Sequence, residues 1–315
     1  MRPVTISVKV DVSITPRPWS PRRLLTWGAR RLVVWGVLGV AAVFFVVPIV
    51  WLLLESTTTG GLGAPLGFGS LSQLAVNWQV LFSGSLGPTL TWLANSTLYS
   101  GSGVLIAVAV GIPAGYGLAT FDFIGRRPLL FATMIAMLIP SNALVLPLVL
   151  EAHSLHVLSS PLAVILPYGL FPFGVYIAYV YFNTPRVHGL LAAARADGCS
   201  EWQAFKHIAL PLARPVTGLV VVLDFIASWT NYFLPWAMYS LFDVPGRFPV
   251  TLGIAQQLMA GPTYGGYLLR DLQLQTASSP SAEALLILVS CAPVIIVLAI
   301  AQRWIVSGRL QGVFV

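Results

Sequence analysis

The sequence predicts an all-α, polytopic membrane protein with six transmembrane helices and both termini in the cytoplasm. Three observations carry that prediction. Hydrophobic residues make up 57% of the chain and charged residues 9%, where soluble domains average about 25% charged. Six apolar runs, at 32–54, 92–119, 129–150, 161–182, 216–239 and 284–305, are each long enough to cross about 30 Å of hydrocarbon. Of the 17 Lys and Arg, all but Arg247 and Arg270 fall in segments that an alternating topology places on one side, and the cytoplasmic side is the one that retains positive charge.

In chain order, a basic cytoplasmic arm at 1–30 comes first, and with its border it carries Arg2, Lys9, Arg17, Arg22, Arg23, Arg30 and Arg31. The run at 32–54 exceeds the roughly 7–15 apolar residues of a signal peptide. No small-residue cleavage site follows it, so it stands as the first span of a membrane domain at 31–306. The Gly-rich loop at 55–91 has no Lys or Arg and lies outside. Arg126 and Arg127 follow the second span, Arg186, Arg195, Lys206 and Arg214 the fourth, and Arg303 and Arg309 mark the end, where 307–315 is a cytoplasmic tail. Pro48, Pro113, Pro140, Pro147, Pro167, Pro172, Pro235 and Pro293 interrupt the spans. They read either as the broken helices of a transporter or as ordinary kinks in a packed bundle. Gly111 and Gly115 have the spacing of a close helix contact.

Several function classes are excluded. The net charge of +7 does not mark nucleic-acid binding, because the basic residues end apolar runs and form no patch interleaved with aromatics. Cys199 and Cys291 imply neither a disulfide framework nor a metal site. His153, His156, His188 and His207 lie outside the spans, so no intramembrane catalytic constellation is present. A secondary transporter is disfavoured by the scarcity of intramembrane charge and the lack of an internal repeat.

The polar segment between the fourth and fifth runs, at 184–215, is the candidate functional element. Residues 189–196 are rich in Leu and Ala, and Gly198 supplies the permissive backbone that ends a helix. A second helix starts at once: Ser200 is a good N-cap, Gln203 completes a capping box, and Glu201 puts negative charge in the first turn. Trp202 and Phe205 share a face and form an aromatic pair, and Pro211 closes the unit. On pattern alone this helix either rests on lipid headgroups or is held by a protein.

Ala193-Ala194, Gly198 and Ile208-x-Leu210-Pro211 together resemble the EAA signature of membrane subunits of bacterial ATP-binding-cassette (ABC) importers. The likeness to the maltose-transporter type of sugar permease covers about residues 30–310. It is carried by Pro48-x-x-Trp51, Phe121-Asp122-Phe123-x-Gly125-Arg126-Arg127, Ile139-Pro140, Leu166-Pro167-Tyr168, Pro172-Phe173-Gly174, Ser228-Trp229-Thr230-Asn231 and Gln302-Arg303-Trp304. The resemblance implies a type I ABC importer permease fold in a bacterial plasma membrane. It implies a second, MalF-like permease subunit, an ABC ATPase dimer and an extracytoplasmic solute-binding protein as partners, beside the lipid bilayer, and no nucleic acid. The solute it implies is a sugar, the alternative being a non-sugar solute. Ala193, Ala194, Asp197, Gly198, Ser200, Glu201, Trp202 and Phe205 would then be the part that the ATPase holds. The signature's glutamate is Ala192 here, preceded by Leu191, and the tail from Ser307 matches loosely. The chain has no phosphate-binding loop, since Lys9 follows Val8 and Lys206 follows Phe205. It is therefore expected to bind no cofactor or metal and to perform no catalysis, with ATP and Mg used by the partner.

Asp224 is an acid well inside the fifth run. It reads either as a pathway or gate residue or as a carboxyl in a helix-to-helix hydrogen bond or held protonated. Trp229, Asn231 and Tyr232 lie further along that helix. An aromatic face and an amide suit a sugar's CH groups and hydroxyls, so they are pathway candidates, with packing and interfacial anchoring as the alternative.

Overall fold

In the computed structural model, every element among the described residues, 21–58, 69–83, 88–242, 244–260 and 280–310, is helical. Residues 1–20, the loop at 59–68, the segment at 261–279 with Arg270, and the tail at 311–315 lie outside them. The chain divides into two compact units, 1–51 and 52–315. The first carries most of α1 (Pro21–Glu55), which begins inside the arm and, between residues 32 and 50, exposes apolar side chains on every face, among them Leu32, Trp35, Phe44 and Phe45. A helix with no polar face has hydrocarbon as its natural surroundings.

In the second unit, α2 (Leu71–Phe82) starts at the Ser70 cap in what the sequence reads as loop. It is anchored by Asn77, whose buried amide donates to the Ser56 carbonyl at 2.8 Å. α3 (Thr89–Thr120) is the centre of the unit and packs against α6 (Leu162–Gly169), α7 (Pro172–Phe182) and α11 (Arg214–Trp229). Its Gly103, Ala107, Gly111 and Gly115 recur every fourth residue and are all buried. This small-residue stripe lets backbones approach where lipid supplies no hydrophobic drive between helices. A Cβ on Gly115 would stand 2.5 Å from the Ala178 Cβ of α7, and one on Gly103 would stand 2.7 Å from the Tyr168 Cβ of α6.

Among the described residues, four helical segments are long and apolar enough to cross a membrane: Arg31–Glu55, Thr89–Thr120, Leu162–Phe182 and Pro280–Ile305, the last within α14 (Pro280–Leu310). Counting each of two bent pairs as one span brings the number to six. The third predicted run is one such pair. α4 (Arg126–Leu138) turns by 100° into the helix at Ser141–Ser154, whose α-helical part is α5 (Val145–Ser154). The bend falls where Pro140 forces Ile139 into an extended conformation. The same rule separates α6 from α7, with Phe171 held out of the helical region at φ −116°, ψ 81° ahead of Pro172.

The fifth run departs most from expectation. α11 ends at Trp229 rather than continuing to 239: Pro235 has no N–H to donate to the Asn231 carbonyl four residues back, which accepts from Thr251 Oγ1 instead, and the chain leaves the helix ahead of it. Asn231 Oδ1 then accepts from Leu234 N and starts a short turn, α12 (Phe233–Pro235), that widens into a π-helix at Trp236–Ser240. Beyond it, α13 (Val250–Ala260) packs against α3 and α14.

Candidate functional site

The polar segment folds as a closed unit. α8 (Pro185–Ala196) ends on Asp197, and Gly198 follows in the left-handed region at φ +84°. Cys199 N donates to Ala194 O at 3.0 Å and Gly198 N to Arg195 O at 3.1 Å. These two bonds are the pairing that satisfies the last carbonyls of a helix when a glycine closes it. Ser200 then caps α9 (Glu201–Ala204) reciprocally: its Oγ accepts from Gln203 N at 3.3 Å, and its own N donates to Gln203 Oε1 at 2.8 Å.

The helix does not stop before Pro211. It runs on through a π-turn at Phe205–Ala209 into α10 (Leu210–Leu212), then bends by 67° into α11. In a regular helix the proline ring would strike the carbonyl four residues back; the wider π-turn just ahead of Pro211 accommodates it.

The predicted aromatic pair is split between two roles. Trp202 is 67% exposed, whereas Phe205 is 8% exposed and its ring lies 4.8 Å from that of Tyr116 on α3. Phe205 shares a core with Val187, Leu191, Ala194, Ala204 and Ala209, so the segment offers Trp202 outward on a base held by Phe205. Leu191 belongs to that core and Ala192 is exposed, as is Ala193. An acid at position 191 would therefore be buried, which explains the leucine there in physical terms. Asp197, Gly198, Cys199, Gln203, His207 and Ile208 line one shallow concavity.

Arg195 reaches across the turn to Glu201, Nε to Oε1 at 2.6 Å and Nη2 to Oε2 at 3.0 Å. Hydrogen bonding from Arg195 holds the Glu201 carboxyl below the ordinary carboxylate range. The pair's stabilising contribution is thus present above that range and lost only as pH falls through the lowered value. With side chains 36% and 46% exposed, that contribution is small.

The intramembrane candidates are brought less close together. Asp224 is 2% exposed, and its Oδ2 has no hydrogen-bond partner among the described residues, so that oxygen makes no helix-to-helix bond. Trp229 is core: it stacks on Phe225 at 5.3 Å and donates from Nε1 to the Ser290 carbonyl of α14 at 3.1 Å. Asn231 and Tyr232 are not on the same helix as Trp229; they sit in the break after it and are partly exposed. Asn231 also accepts from Thr251 Oγ1 at 3.1 Å through its carbonyl. Among the described residues no group of three His, Cys, Asp or Glu is placed to hold a metal ion.

The profile of the family described as "Binding-protein-dependent transport system inner membrane component" matches residues 107–310. The chain belongs to that family. It is 30% identical over 237 residues to the arabinooligosaccharides transport system permease protein AraQ of Bacillus subtilis (strain 168), covering 75% of this chain and 77% of AraQ. It is 32% identical over 239 residues to the maltose/maltodextrin transport system permease protein MalG of Escherichia coli (strain K12), covering 71% and 72%. The diacetylchitobiose uptake system permease protein NgcG of Streptomyces coelicolor (strain ATCC BAA-471 / A3(2) / M145) is 26% identical over 277 residues, covering 87% and 85%. Among solved structures, a chain in the crystal structure of a bacterial ABC transporter involved in the import of the acidic polysaccharide alginate superposes with TM-score 0.71 at 21% identity, covering 91% of this chain and 99% of that one. The inner membrane component is thus a multi-pass membrane protein with the type I ABC importer permease fold.

Sequence reasoning missed two residues of this component's polar segment and its base. Arg195 reads in the sequence only as a topology marker, and Tyr116 carries no signal there, since a tyrosine in an apolar run looks ordinary without its distant partners. The capping box, by contrast, was legible, and it yields a prediction. Ser200→Ala removes one of the two reciprocal bonds and should destabilise α9 by about 1 kcal/mol, read as faster amide hydrogen exchange at 201–205 with unchanged exchange in α3.

Proposed function

We propose that the chain is one membrane half of a bacterial ATP-driven sugar importer. It pairs with a MalF-like permease subunit in the plasma membrane and receives a mono- or oligosaccharide, or a sugar derivative, from an extracytoplasmic solute-binding protein. A separate ABC ATPase dimer drives it, using ATP and Mg; the chain itself binds no cofactor. Residues 1–30, 184–215 and 307–315 are cytoplasmic and 31–306 form the membrane domain.

The observation that carries this reading is the closed unit around Gly198. Two helix ends with their backbone groups internally satisfied present an exposed Trp202 over a buried Phe205, a rigid projection built on the core of the bundle. Exposed tryptophan in a well-supported setting is the residue type that anchors protein contacts. Ala193, Asp197, Ser200 and Glu201 surround it, and Ala194 with Phe205 forms its base. The sugar assignment is supported by the names of AraQ, NgcG and MalG, each a permease for an oligosaccharide or disaccharide. Asn231 and Tyr232, in the break of the fifth run, are the pathway residues of this reading, with Asp224 and Trp229 behind them as gate elements.

The test is uptake into proteoliposomes. The chain, its partner permease, the ATPase and the solute-binding protein are reconstituted, and radiolabelled arabino-, malto- and chito-oligosaccharides are offered. ATP-dependent accumulation of one of them is expected. Uptake driven by an ion gradient without the ATPase, or of non-sugar solutes alone, would overturn it.

A further inference from the structure

The ion pair across the Gly198 turn is not what closes that turn, because the backbone bonds and the Ser200 cap already do so. Its geometry points elsewhere. Arg195, on α8, grips both Glu201 oxygens in a two-pronged contact that fixes orientation as well as distance. On the far side, the Tyr116 hydroxyl of α3 donates to Glu201 Oε2 at 3.5 Å, a long contact bridging 85 residues of sequence. The Tyr116 ring itself is held firmly. It is 4% exposed and lies between Phe205 at 4.8 Å, Phe182 at 5.3 Å and Phe121 at 5.8 Å.

We propose that Tyr116, Arg195 and Glu201 form a strut that carries displacement of the α8–α9 unit into α3, the helix on which α6, α7 and α11 all pack. This rests on the functional reading above and reassigns Glu201 from the surface held by the ATPase to the machinery behind it. All three are positioning residues. Both Glu201 oxygens are engaged within the chain, so the outward contact falls to Trp202, its neighbour in sequence. The pair is too exposed to matter much for folding, so removing it should leave the assembly intact and alter what is transmitted. α3 is suited to receive the motion: tight contacts such as that of Gly115 on Ala178 leave no slack in which a shift would be absorbed.

The test uses the complete transporter in nanodiscs and the non-hydrolysable nucleotide AMP-PNP with Mg as probe, reading amide hydrogen exchange along α3. In the wild type the nucleotide changes exchange at 107–120. In Glu201→Ala the ATPase still co-purifies, but the nucleotide-induced change falls about fivefold or more. Tyr116→Phe, which keeps the ring and removes the hydroxyl, shows a smaller loss, and Arg195→Glu combined with Glu201→Arg restores at least half of the response. An undiminished response in Glu201→Ala, loss of the ATPase from that variant, or failure of the reversed pair to restore the response would each overturn the strut. A wild-type chain that recruits no ATPase would overturn the functional reading and the strut with it, and is told apart by occurring before any substitution is made.

Discussion

Gly198→Pro is expected to abolish co-purification of the ATPase subunit while the protein still inserts and remains monodisperse in detergent. At φ +84° the position lies outside the range a proline ring permits, and the N–H that proline lacks is the one donated to Arg195 O. With the turn opened, the Ser200 cap loses its register and Trp202 its base, at a cost of about 3 kcal/mol or more in the local unit. Gly198→Ala separates the two causes. No atom lies within 4 Å of a Cβ placed there, so only backbone strain remains, about 1–2 kcal/mol. ATPase affinity measured by surface binding should then fall by at most a factor of about 5–30. Equal behaviour of the alanine and proline variants would contradict this.

Gly115→Ala should destabilise the whole protein and Gly111→Ala should not, although the two residues share one motif. A Cβ at 115 meets Ala178 Cβ at 2.5 Å, Tyr179 N at 2.7 Å and Ala178 C at 2.9 Å. Two of these are backbone atoms that cannot rotate away, so α3 and α7 must separate. At 111 the nearest atoms are at 3.7 Å, ordinary contact. Overpacking of the first kind costs about 1–3 kcal/mol, whereas the second change should stay within about 0.5 kcal/mol. Thermal unfolding in detergent, followed by tryptophan fluorescence, should show a lowered midpoint for Gly115→Ala alone.

These three glycines illustrate what the sequence makes legible. Gly198 was readable because helix-ending and helix-starting signals on its two sides are local, and backbone chemistry within a few residues decides them. The spacing of Gly111 and Gly115 marked a contact, but which glycine is tight depends on where Ala178 falls on a helix more than sixty residues away in sequence. The six apolar runs were readable by length and composition. Their breaks were not: prolines were seen at 140 and 172, yet whether a proline kinks a helix or ends it depends on the neighbours that take up the freed backbone groups. The i, i+3 spacing of Trp202 and Phe205 gives a shared face. It does not say where that face divides between solvent and the Tyr116 ring. Asn231 and Tyr232 fall in an apolar run that hydropathy continues through, and the partner that takes up the Asn231 carbonyl freed by Pro235, Thr251, lies twenty residues away.

The central claim is that the unit from Ala193 to Phe205 is gripped by an ATPase and does not lie on lipid. Photo-crosslinking from position 202 tests it most directly: Trp202 is replaced by a benzophenone amino acid, which keeps an aromatic ring at that place, and the assembled transporter is irradiated in nanodiscs. The account predicts a covalent adduct with the ATPase subunit that disappears when Gly198 is also changed to proline. Adducts with phospholipid alone, in complexes that contain the ATPase, would contradict it.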